Sequence, residues 1–125
     1  MPNQKKIQQY KMGLWAEYFV MILFWLRGHN IIKHRYKSRF GEIDIITKKH
    51  YEIYFLEIKT RNSKKNYEEI ISDAQIARII KSGEYFLQNN QRFKNCKINY
   101  FLLLLTPTIF PFFKINYFKN INLMQ

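Results

Sequence analysis

Residues 41–61, GEIDIITKKHYEIYFLEIKTR, hold two apolar runs that alternate with a period of two around a short polar segment. That alternation marks half-buried β-strands. In the first run Ile43 and Ile45 point one way, and Glu42, Asp44 and Ile46 the other. In the second, Tyr54, Leu56 and Ile58 share one face, and Ile53, Phe55, Glu57 and Lys59 the other. Lys48, Lys49 and His50 between them predict an antiparallel hairpin, without the Asn-Gly or Asp-Gly signal of the tightest turns. A turn centred between His50 and Tyr51 sets Asp44 opposite Glu57, Glu42 opposite Lys59, Ile43 opposite Ile58 and Ile45 opposite Leu56. One face is then apolar, and the other carries three carboxylates and an ammonium. Opposed Cβ atoms lie ~5 Å apart, where like charges repel. A divalent cation between Asp44 and Glu57 would turn that repulsion into binding, since Mg²⁺ is held by one or two carboxylates plus waters and a substrate phosphate. A slip of one residue would separate the two carboxylates onto opposite faces. Read from the residues alone, the hairpin is also consistent with a mixed-charge strand pair facing solvent, although Ile46 and Phe55 share the charged face.

The spacing Asp44…Glu57–Ile58–Lys59 resembles the PD-(D/E)xK signature of the restriction-endonuclease-like nucleases. GEIDII at residues 41–46 with FLEIKTR at residues 55–61 resembles the YraN-like family of small bacterial proteins in that superfamily. The resemblance extends to Glu17 upstream and to EYFL at residues 84–87, and covers roughly Gly13 to Phe101. It implies an α/β fold: a restriction-endonuclease-like sandwich with a mixed central sheet, an antiparallel hairpin carrying the site, and flanking helices, in one domain over residues 1–125. It further implies Asp44, Glu57, Lys59 and Glu17 as catalytic residues. Asp44, Glu57 and Glu17 would hold Mg²⁺ or Mn²⁺, with Glu17 either a direct ligand or an anchor behind the ligands. The carbonyl of Ile58 would be a further ligand. Lys59 would orient the attacking water or stabilise developing negative charge. Glu42 and Gln75 are auxiliary candidates. The family's Lys-Gln pair near the start of the second helix is reduced here to Gln75, and its acidic residue early in the last strand is replaced by Asn99.

The formal net charge is +12, from 21 basic and 9 acidic residues. It points to an anionic partner, nucleic acid first, with DNA ahead of RNA, and a membrane surface second; the partner expected is nucleic acid, with no membrane. A general bias toward Lys, Asn, Ile, Tyr and Phe would raise the lysine count as well. Lys37, Arg39 and Arg61 are the candidates for holding flanking phosphates. The first two belong to a run with Lys33, His34 and Arg35 that reads equally as a solvated loop. Hydrophobic content of 47% predicts a folded chain. The lone Cys96 excludes an intramolecular disulfide and argues against a zinc cluster. His29, His34 and His50 lack metal-ligand spacing and read as surface or turn residues. The apolar runs at residues 18–26 and 100–105 fall short of the ~20 residues that span a bilayer. The N-terminus has no signal-peptide pattern, so a cytoplasmic location is expected.

A first helix is expected from about Gln4 to Arg27, apolar almost all round and hence buried, with Gly28 as its stop. Glu17 within it reads, from the residues alone, as a salt bridge at the helix margin. A strand follows from Ile31 to Tyr36, then a basic turn at Lys37, Ser38 and Arg39. Ser72 to Gln75 fits a capping box for a second helix ending near Gln88, which favours capping over catalysis for Gln75. Lys97 to Leu105 reads as a further strand. Pro107 and Pro111 keep the last segment off a central position, with residues 112–118 as an edge strand of unspecified placement. The functional expectation is a metal-dependent endonuclease acting on DNA, branched or structured DNA included. The alternative is a non-catalytic nucleic-acid-binding module of the same fold. A third reading is an interaction protein whose apolar C-terminal segment docks to a partner or to a second copy, giving a homo-oligomer.

Overall fold

The structure, a computed structural model, describes residues 3–63 and 65–123, the side chain of Tyr67 excepted. Its elements run α1 (Gln4–Leu26), β1 (Asn30–Ser38), β2 (Gly41–Lys49), β3 (Glu52–Thr60), α2 (Tyr67–Ile70), α3 (Asp73–Gln88), β4 (Lys97–Pro107) and β5 (Phe113–Phe118), with 3-10 turns at Gln91–Phe93 and Ile121–Leu123. The strands form one five-stranded sheet in the order β1-β2-β3-β4-β5. Only the β3–β4 pair is parallel, because the chain crosses back through α2 and α3 before β4. β5 lies antiparallel on β4 and forms an edge, which places the segment left open by the sequence.

Helices cover both faces. On one, Ala16, Val20 and Phe24 of α1 pack against Ile45, Leu56, Leu103 and Leu105. On the other, Ile76, Ile79 and Phe86 of α3 pack against Ile46, Ile53, Phe55, Leu102 and Leu104. Leu102 to Leu105 are buried on alternating sides because both faces of β4 are roofed. Each fully buried leucine of this kind contributes about 1.5–3 kcal/mol.

Local signals set the helix ends. Asn3 caps α1, its Oδ1 accepting from the Lys5 amide at 2.9 Å, and Gly28 leaves the helix with φ +93°. Burial of α1 is one-sided, contrary to the expectation of an all-round buried helix: Ile22, Trp25 and Leu26 are 53, 65 and 69% exposed. α3 has the expected capping box, with the Gln75 amide donating to Ser72 Oγ (3.1 Å) and the Ser72 amide to Gln75 Oε1 (3.0 Å). The β2–β3 hairpin has the expected register, Ile45 opposite Leu56 and Ile46 opposite Phe55, around a two-residue loop in which His50 has φ +55°. β1 extends through Lys37 and Ser38, so the turn expected there is made by Arg39 and Phe40 instead. His29, expected at the surface, is buried between the Phe24 and Tyr54 rings and bonds Thr47 Oγ1 at 2.9 Å. Among the described residues no helix is long and apolar enough to cross a membrane.

Candidate active site

The β2–β3 ladder stops at the Ile45–Leu56 pair. The next residue of β2 on that side, Asp44, reaches β3 with its side chain: the Ile58 amide donates to Asp44 Oδ2 at 2.7 Å. A carboxylate here takes the place of a main-chain carbonyl, one step beyond the end of the ladder and beside Glu57.

Glu57 continues the row Ile53–Phe55–Glu57–Lys59 on the α3 side of β3. Its β4 neighbour is Leu102, which is fully buried. Burial, then the hydrogen bond to Asp44 and the charge of Asp44, push the Glu57 carboxyl well above the usual carboxylate range. Lys59 and the Ile58 amide pull it the other way without prevailing. Burial and a neighbouring carboxyl both disfavour the ionised form of Glu57.

Across β2, the pairs His34–Ile45 and Tyr36–Ile43 flank Arg35 and Asp44. Ile45 packs on the α1 side, whereas Ile43 and Tyr36 pack on the α3 side. Residues two apart in a regular strand share a face. Both strands thus rotate together between these pairs. In β1 the rotation is taken up at Arg35, a non-glycine residue with φ +58°. This corrects the expected apolar face: Ile43 does not stand beside Ile45. Glu42 pairs with Lys37 of β1 and is exposed, rather than facing Lys59.

Glu17 lies on α1, on the sheet face opposite the Glu57 row, so it meets β1 instead of the carboxyl pair. Its Oε1 accepts from His34 Nε2 at 2.7 Å and Arg35 Nε at 3.1 Å, with the side chain only 13% exposed. Glu17 holds Arg35 strongly enough to raise the guanidinium pKa further. Among the described residues no three His, Cys, Asp or Glu side chains are grouped to hold a metal ion. Glu17 as a direct third ligand is therefore not the geometry found. The helix-margin salt bridge is, with the addition of His34, which was expected at the surface. That partnership had one sequence signal, a lone carboxylate in an apolar stretch.

The remaining candidates scatter. Gln75 is engaged in the α3 cap. Lys37 and Arg39 are exposed, with Arg39 over the Phe40 and Tyr85 rings at 4.9 and 5.8 Å. Arg61 donates to the Thr60 carbonyl at 2.7 Å and lines a recess with Gln8 and Asn62. Asn99, where the family pattern has an acid, is buried at the start of β4 and donates to Glu52 Oε1 and the Ile53 carbonyl, both at 3.3 Å.

The molecule is thus a mixed-sheet α/β sandwich, compatible with the restriction-endonuclease-like architecture, with a carboxyl pair and a lysine at the end of a central hairpin. Comparison with known proteins gives the lineage. Residues 16–99 match the profile of the Uncharacterised protein family UPF0102, the YraN family, and the chain belongs to it. It is 29% identical over 110 residues to a UPF0102 protein of Rhizobium meliloti (strain 1021), covering 88% of this chain and 90% of that one. It is 34% identical over 98 residues to one of Ehrlichia ruminantium (strain Gardel), covering 78% and 76%. A UPF0102 protein of Acinetobacter baylyi is 34% identical over 92 residues, covering 70% and 66%.

Proposed function

We propose that the chain is a Mg²⁺- or Mn²⁺-dependent endonuclease that hydrolyses phosphodiester bonds of DNA. The observation that carries this reading is the Asp44–Glu57 pair: Asp44, held by the Ile58 amide, stands beside the buried Glu57 carboxyl, with Lys59 next along the strand face. An all-oxygen donor pair suits a hard divalent cation, and two carboxylates suffice where waters and substrate phosphate complete the shell. When bound, such a cation supplies a more acidic water and charge to neutralise the scissile phosphate. Asp44 and Glu57 would hold the cation, Glu57 as its carboxylate. Asp44 is held in place by the Ile58 amide. Lys59 donates to the phosphate as negative charge develops. Glu17 acts at a distance, as the anchor that fixes Arg35 across the strand from Asp44.

The second reading, a DNA-binding module without cleavage, draws on the same pair: a Glu57 that resists ionisation repels phosphate less. One panel separates the two: linear, nicked and four-way-junction DNA, and RNA, each with Mg²⁺, Mn²⁺ or EDTA. The nuclease reading expects metal-dependent cutting that Asp44→Asn and Glu57→Gln abolish. Lys59→Ala should keep metal binding and slow cutting by ~10²-fold or more. No metal binding and no cutting of any substrate would hand the site to the binding module.

A further inference from the structure

All nine acidic residues lie between Glu17 and Glu84. Residues 1–16 carry Lys5, Lys6 and Lys11, and residues 85–125 carry five basic side chains, with no acid in either segment. The fold joins the two. The Trp15 indole N–H of α1 donates to the Pro111 carbonyl at 2.9 Å, and Phe19 meets Phe113 with ring centroids 5.2 Å apart. Two recesses open along this junction. One, of about 540 Å³, is lined by the amides Gln8, Gln9 and Asn62 and by Thr60 and Arg61. The other, of about 480 Å³, is lined by Lys11, Trp15 and Phe110. They share Gln8 and Met12 and so adjoin as one groove on the α1 side of the sheet, running from Thr60 and Arg61 to the β4–β5 hairpin tip. At that tip Ile109, Phe110 and Phe112 are 84, 81 and 62% exposed. The tip and the first three turns of α1 lie outside the stretch matched to the family.

Exposed aromatic faces beside cations and side-chain amides are the makings of a single-strand platform, where bases stack and phosphates are held. The competing occupant, an anionic lipid surface, suits the tip but not the groove, whose amides would lose their hydrogen bonds in it. We propose that this groove takes an unpaired nucleic-acid strand, with Phe110 and Phe112 stacking on bases and Lys11 and Arg61 holding phosphates. It goes beyond the nuclease reading and does not rest on it, since the groove lies on the α1 side of the sheet and the Glu57–Lys59 row on the α3 side.

The test is binding in EDTA, which requires no cleavage. Labelled single-stranded, forked and blunt duplex DNA of equal phosphate number are titrated by anisotropy. The single strand and fork should bind tighter than the duplex. Phe110→Leu with Phe112→Leu keeps apolar bulk, removes the ring faces, and should weaken those two ligands by ~10-fold or more. Phe110→Leu with Phe112→Trp should recover part of the loss. In a Trp25→Phe background, Trp15 fluorescence should respond to single strand, because Trp15 lies 6.3 Å from Phe110. Unchanged single-strand affinity in the leucine variant overturns the proposal. So does tip-dependent binding to phosphatidylserine vesicles with no single-strand preference. A protein that binds single strand through the tip but cuts nothing sinks the nuclease reading and leaves the groove standing.

Discussion

Glu57 ionises against both its apolar surroundings and the Asp44 carboxyl, so the folded chain holds that proton more tightly than the unfolded one. The sign of the linkage follows. More protons are bound in the native state, so this contribution is fully present below the unfolded carboxylate value of ~4.3. It is lost as pH rises toward the raised native value. His29 acts in the opposite sense and elsewhere on the scale: burial, then Lys49, lowers its pKa, so its contribution is lost on acidification below ~6.5. The comparison that isolates Glu57 is therefore made above pH 7. Glu57→Gln should unfold at a higher temperature than the parent there, by on the order of 4 °C for about 1 kcal/mol, with the gap closing toward pH 5. Thermal melts of both proteins across pH 5 to 9 check this, and parallel curves would assign the titration to another group. On the proposed reading, a cation competes with the same proton. The rise in Tm produced by Mg²⁺ should accordingly grow with pH in the parent and vanish in Glu57→Gln.

At the scale of elements, period-two alternation was enough to read the hairpin register, because turn position alone fixes which residues face each other across β2 and β3. It could not reveal the joint rotation at Arg35 and Asp44, since alternation assumes a strand that keeps one pair of faces. No glycine marks the irregularity: Arg35 adopts its left-handed backbone with Glu17 holding its side chain. Glu17 was visible as an oddity, and its partner was not, because the pairing spans 18 residues between a helix and a strand. The Asp44–Glu57 pair was legible because both residues sit on adjacent strands of one hairpin. Gly83 is another case where the element, not the residue, explains the choice. A Cβ on it would lie 2.5 Å from the Tyr100 hydroxyl oxygen and 2.9 Å from the Tyr100 ring, so α3 can approach β4 closely only without a side chain there. Gly83→Ala should destabilise by about 1–3 kcal/mol, as overpacked cores do. Adding Tyr100→Leu should recover part of the loss in denaturant melts. Full stability of Gly83→Ala alone would mean that the helix shifts at no cost.

Over the whole molecule, a net charge of +12 on 125 residues acts on stability and on binding with opposite signs of salt dependence. Like charges crowd together when the chain folds, so self-repulsion weakens the native state most at low ionic strength. Added salt shortens the Debye length from ~30 Å at 0.01 M to ~8 Å at 0.15 M and relieves that repulsion. The Tm of the free protein should rise with NaCl over this range. Nucleic-acid affinity should fall over the same range, because each phosphate contact releases a counterion, with a log–log slope of ~0.9 per contact on duplex DNA. Two pairs of basic residues can be compared: the exposed Lys37 and Arg39 near the β1–β2 turn, and Lys11 and Arg61, which line the two recesses. Those two pairs can be told apart by slope. Lys37→Ala with Arg39→Ala should flatten the duplex slope by up to about two units if both touch phosphate. Lys11→Ala with Arg61→Ala should flatten the single-strand slope by up to about 1.4 units, at ~0.7 per contact, and leave the duplex slope alone. Each variant removes two positive charges and should raise the low-salt Tm by a similar small amount, so stability serves as the internal control for charge removed. Equal loss of slope on both ligands from either variant would mean that the charge acts as a diffuse field, with neither pair a track for a strand.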